Sequence, residues 1–228
     1  VGNKTTLENV MASFSGGDSF DMIGGDLNLT KFVSYKTINN DFKFTQGTQC
    51  KIYNSLAVRS SYLTSNKDGS RCMEVVSYDK KEETDFTKKQ TLVTAANITM
   101  LNDSDNISAD IQSGLVKEAI YVGNNAAIEL KRSVISGFNP AVVLDSKIEI
   151  NDANLKKLKF EEMYFNQCKG NIFSEYNSNN EDLENWYGNT MFSNYYSQSN
   201  NNEFFIDISN PKRPDFRLNI GKITASSK

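Results

Sequence analysis

A chain of 228 residues can bury a large core, and its formal charge of −3 comes without any stripe of Lys and Arg, which excludes a phosphate-tracking surface and, with it, nucleic acid as a partner. Histidine is absent, so chemistry that needs an imidazole general base or a His-ligated zinc is excluded as well. Three prolines in a chain rich in Asn, Ser and Thr disfavour helix, because those short side chains compete for backbone hydrogen bonds and favour turns and strand edges.

Short runs rich in Val, Ile, Phe and Thr predict strands at 7–14, 27–35, 51–59, 72–78, 91–101, 119–122, 127–135, 141–144 and 148–150. The first of them repeat. At a shift of 22, Phe20-Asp21-Met22 falls on Phe42-Lys43-Phe44, Val10-Met11 on Phe32-Val33, and Gly25 on Gly47. The pattern continues through Met73-Glu74-Val75, Ile120-Tyr121-Val122 and Val142-Val143-Leu144. In these triplets the outer residues are apolar and the middle one is mostly polar, as strand alternation requires when one face meets a common interior. Size and polarity recur while letters change. Stacked coils demand this, because inward Phe20 then lies over inward Phe42 and outward Asp21 beside Lys43. Gly25 and Gly47 suit sharp corners where φ is positive.

Polar, charged stretches near 60–89 and 102–117 read as loops projecting from one corner of the stack. Residues 155–160 and 163–165 either continue the coils or begin a helical cap, and 176–205 reads as an irregular, aromatic-rich surface excursion. The whole of 1–228 is expected to be one domain. No run of 18 apolar residues is present, so no transmembrane segment is expected. The opening at Val1, inside an alternating pattern, reads as a mature or trimmed product.

The stretches "TLENVMASFSGGDSFDMIGG", "KFVSYKTINNDFKF", "CKIYNSLAVR", "KEAIYVGNNAAIELKRSVISGF" and "FFIDISNPKRPDFRLN" resemble secreted or lipid-anchored right-handed parallel β-helix proteins of Bacteroidetes, in which a strand, a Gly-Asp-Asp-Ser-Phe-Glu-like corner and a Gly-Gly turn recur. The resemblance covers nearly the whole chain and concerns coil stacking. It implies an extracellular or outer-membrane-surface location in a bacterium and no shared activity. Repeat and resemblance agree on an all-β fold: a right-handed single-stranded parallel β-helix with projecting loops.

Chemistry is sparser. Cys50, Cys72 and Cys168 form no CxxC spacing and read as small buried apolar residues. Pectin hydrolases of this fold resemble one another in a Gly-His-Gly among other motifs, which a chain without His cannot carry. Asp18, Asp21, Asp26 and Asp41 offer carboxylates for glycoside hydrolysis, but the coil alignment assigns them to corners and outward ladders. Asp103, Asp105 and Asp110 in "NDSDNISAD" are the candidate calcium ligands, set against a plain solvated loop, and no cofactor is expected. The acceptor triplets at Asn97 and Asn106 read as empty in a bacterial chain. Trp186, Tyr187, Tyr195 and Tyr196 lie among amides and acids, which is the make-up of a glycan-stacking surface; the competing reading is a cover for the stack. The expectation is a monomeric, non-catalytic cell-surface or secreted module, structural or adhesive, with a glycan or another surface component as partner. The alternative is a polysaccharide lyase or glycoside hydrolase. The two differ on whether carboxylates, or a Lys or Arg base, converge in a groove along one outer sheet.

Overall fold

The structure is a computed structural model that describes residues 2, 4–60, 70–78, 89–113, 117–168, 172–175, 181–221 and 226–227. The chain winds in coils. The first carries β1 (Thr5–Glu8), β2 (Met11–Ser13) and β3 (Phe20–Ile23), and the second β4 (Asp26–Thr30), β5 (Val33–Tyr35) and β6 (Phe42–Thr45). In the next two coils a single long strand replaces the first pair: β7 (Gln49–Arg59) with β8 (Met73–Val75), then β9 (Thr91–Asn102) with β10 (Ile120–Val122). Two further coils follow, β11 (Ala126–Lys131), β12 (Val134–Ser136) and β13 (Val142–Leu144), then β14 (Leu158–Glu161), β15 (Tyr164–Asn166) and β16 (Phe173–Glu175). Each strand pairs in parallel with its counterpart one coil on. The result is a right-handed single-stranded parallel β-helix with three walls, the hand that right-twisted strands impose on parallel crossovers.

The register matches the repeat: Phe20 pairs with Phe42, Asp21 with Lys43 and Met11 with Val33. Inward positions form stacks, Leu27 with Cys50, Val93, Ile128 and Leu158 on the first wall, and Phe42 with Met73, Ile120, Val142 and Phe173 on the third. All are buried in one cluster. The cysteines belong to it as free thiols, and burial pushes Cys50 and Cys168 up to about 12.

Asn recurs at the corners. Between first and second walls the turning residue is Asn9, Lys31, Asn54, Asn97, Arg132 or Glu162, each with φ between 47° and 58°. Asn enters the left-handed region at lower cost than most residues, and Asn97 also donates to Asn54 Oδ1 of the coil before (3.1 Å). One residue on, Ser55 accepts Phe32 N–H and Ser133 accepts Ile98 N–H, so buried polar side chains satisfy corner amides. Gly47 has φ 73°, and a Cβ there would lie 2.8 Å from Lys89 O, so both conformation and crowding require glycine.

Several expectations are corrected. Residues 148–150 form no strand; the chain instead turns into a short helix, α2 (Asp152–Leu155), capped by Asn151. Within the stretch near 60–89 the strand predicted at 72–78 is present as the core strand β8, shortened to Met73–Val75, while 61–69 and 79–88 lie outside the described residues. The 102–117 stretch holds the helix α1 (Ile107–Gln112), whereas for 155–165 the first of the two alternatives holds, the coils continuing as β14 and β15. The 176–205 segment, whose residues 176–180 are outside the described set, is far from a free excursion. Its helix α3 (Glu181–Tyr187) closes the end of the stack with Leu183 and Tyr187. After β17 (Tyr195–Ser197), which extends the second wall, come α4 (Asn201–Phe204) and the hairpin β18 (Phe205–Asp207) with β19 (Asp215–Leu218). Phe204 and Phe205 cover outward Val58, Leu101 and Val134 of the second wall. Asn201 fixes that cover by accepting from Ser136 Oγ (2.6 Å) and donating to Asn102 O (3.2 Å). Among the described residues no helix is long and apolar enough to cross a membrane.

Candidate functional site

The third wall is the place where polar side chains converge. Alternation turns Met73, Val75, Ile120 and Val122 inward, so Glu74 and Tyr121 stand outward, paired with each other across β8 and β10, and Glu74 is paired also with Lys43 of β6. Two residues before each of these strands the chain turns a corner, and there Asp18, Asn40, Arg71 and Glu118 line up coil upon coil. Asp18 Oδ1 accepts Asn40 N–H (2.9 Å) and Asn40 Oδ1 accepts Arg71 N–H (3.2 Å). Arg71 Nε donates to Glu118 Oε1.

Arg71 is the hub of this row. Its guanidinium meets Glu74 at 3.8 Å and lies over the Tyr121 ring, 4.6 Å from the centroid. Asn40 Nδ2 reaches the same Glu74 oxygen (2.6 Å), and Tyr121 OH donates to Asp145 Oδ2 (2.5 Å). Asp145 is held in turn by Lys147 N–H on Oδ1 (2.9 Å). Arg71, Glu118, Tyr121 and Asp145 are all buried. In that setting a planar guanidinium shared between carboxylates and an aromatic face is fixed in direction as well as charge. Beside the network opens a cavity of about 180 Å³ lined by Lys43, Glu74, Tyr78, Tyr121, Asp145 and Lys147. Charges of both signs, two phenolic rings and a carboxylate pair thus face one groove, on a rigid sheet.

The acidic group named from the sequence does not converge. Asp18 caps the corner below Arg71, Asp21 pairs with Lys43 and Asp26 lies on the first wall. Asp41 is fully buried inside a corner, 2.8 Å from Arg59 Nη1 and hydrogen-bonded by Ser34. Burial raises its carboxyl while Arg59 and Ser34 act in the opposite sense. Of the calcium candidates, Asp103 pairs with Lys36 (3.1 Å), Asp110 accepts from Ser104, and Asp105 is exposed. Burial lowers the Lys36 amine, and Asp103 together with Tyr35 more than restores it, so its pKa is raised overall. Among the described residues no group of three His, Cys, Asp or Glu is placed to hold a metal ion.

The aromatic quartet is dispersed. Tyr187 is buried, its hydroxyl donating to Leu158 O (2.7 Å) and its ring stacked on Phe173 at 4.1 Å. Burial pushes the Tyr196 hydroxyl up to about 12, with Glu184 adding to the shift, and its ring stacks on Phe165. Tyr195 is exposed and stacks on Tyr164 of the second wall. Trp186 is half-buried against the core beside Phe192. None of the four reaches the groove of the third wall. Its residues were absent from the sequence-based candidates, although the middle letters of the repeat triplets, Lys43, Glu74 and Tyr121, pointed to that row.

A family model described as a pectate-lyase-like β-helix domain matches residues 1–206. Neither the curated proteins nor the solved structures returned a match.

Proposed function

The chain belongs to the family of pectate-lyase-like β-helix domains, and on that premise we propose that it is a non-catalytic module, secreted or displayed at a bacterial cell surface, that binds carbohydrate in the groove of the third wall. One observation carries this reading: Lys43, Glu74, Tyr121, Asp145 and Lys147 converge on a single cavity beside an arginine fixed by two carboxylates. Sugar recognition needs an apolar or aromatic face for the ring and charged groups for its hydroxyls. A sheet presents such groups without the ordering cost of a loop. Arg71 is engaged with Glu118 and Glu74, and Tyr121 with Asp145. An array already paired within itself suits binding, whereas proton transfer needs a group poised to gain or lose its proton.

The same convergence supports the second reading, a polysaccharide lyase or glycoside hydrolase, since an arginine and several carboxylates along one outer sheet are the parts such chemistry uses. A glycan panel assayed for binding and for release of reducing ends or unsaturated products separates the two. The expected result is saturable binding without product. Steady product release that is abolished by Glu74→Gln would replace the binding module with an enzyme, and neither binding nor release across the panel would defeat both.

A further inference from the structure

A second cavity lies at the capped end of the stack, and it shares no lining residue with the groove of the third wall. Its volume is about 380 Å³. Ile150, Leu155 and Phe192 supply apolar wall, and Trp186 adds an indole. Around them stand Asn185 and Asn189, both exposed, and the carboxylates of Asp152 and Asp182. An indole face beside amides is chemistry that fits the CH surface and hydroxyls of a sugar ring.

Two features go beyond capping. Trp186 Nε1 is buried and finds no acceptor among the described residues. As a plain cover, the indole is therefore inferior to a phenyl ring, which carries no donor to strand. The charge of the lining is also one-sided: Asp152 and Asp182 face the cavity, and among the described residues no Lys or Arg lines it. A carboxylate-bearing or sulfated sugar would meet repulsion there, and a neutral one would not.

We propose that this end cavity is a separate binding site for the terminal residue of a neutral saccharide, stacked on Trp186 and hydrogen-bonded by Asn185 and Asn189. The site is independent of the groove, and ligand placed on the third wall does not fill it. Trp186 is the only tryptophan in the chain, so its emission reports this cavity directly.

The full chain is titrated with methyl glucoside, methyl galactoside, methyl mannoside and N-acetylglucosamine, each also as its disaccharide, and with galacturonate and glucuronate, while tryptophan emission is recorded. A saturable emission change is expected for at least one neutral probe, with uronates weaker by about tenfold or more, a ~1.4 kcal/mol difference. Asn185→Ala, at an exposed position, is expected to weaken that binding by about tenfold at an unchanged melting temperature. Asp152→Asn combined with Asp182→Asn is expected to narrow the preference over uronates. No emission change with any neutral probe overturns the site, and equal affinity for uronates overturns its ligand class. Because the readout is confined to Trp186, either failure leaves the groove reading standing, and loss of groove binding leaves this one standing.

Discussion

The interior of the prism and the outer face of its third wall are built from neighbouring letters under opposite rules. Inside, Phe20, Phe42, Met73, Ile120, Val142 and Phe173 occupy one stacked position. Apolar burial is non-directional, so any side chain of fitting volume serves there. One residue along, on the outside, Asp21, Lys43, Glu74, Tyr121 and Val143 occupy the next position, and Glu74 and Tyr121 are tied to particular atoms of Asn40, Arg71 and Asp145. Hydrogen bonds and ion pairs depend on direction and partner, so identity matters there. The row that stacking leaves free is the row to which the proposed recognition is assigned.

The sharpest way to break this contrast is to truncate each side of the same strand. Phe42→Ala, fully buried, is expected to cost about 3–5 kcal/mol in chemical denaturation. Gly47→Ala, which forces a Cβ onto Lys89 O at positive φ, is expected to cost about 1–3 kcal/mol, read as a lowered melting temperature. Lys43→Ala, outward on the same strand as Phe42, is expected to stay within about 0.5 kcal/mol in stability while weakening groove binding. Equal costs for Phe42→Ala and Lys43→Ala would show that inside and outside do not divide along this strand.

How far the molecule can be read from its letters follows from the same division. The shift of 22 that pairs Phe20 with Phe42 and Met11 with Val33 is visible because those coils have equal length and their inward positions repeat in size. The site was legible only in part: the triplets align Lys43, Glu74 and Tyr121, but not the corner residues that meet them. Asn40 and Glu74 meet across 34 residues, and Arg71 and Glu118 across 47. Unequal coil lengths hide that stacking from any fixed period. The aromatic segment left two readings open for a related reason. Its polar neighbours fit a stacking surface or a cover, and helix α3 turns Tyr187 onto Phe160 and Phe173 at the end of the stack, a tertiary contact with no local signature. Asn201 likewise reads as a turn residue and serves as a buried pin for the outer cover.

The central claim is that the third-wall network exists for recognition rather than for stability. Replacing a buried ion pair by apolar residues of similar volume is often neutral for folding, so the double variant Arg71→Met with Glu118→Leu separates the two roles. Calorimetric titration with the tightest glycan of the panel, alongside thermal melting, is the direct measurement. The account predicts stability unchanged within about 1 kcal/mol and affinity lowered by about tenfold or more. A variant that binds as well as the parent chain would contradict it.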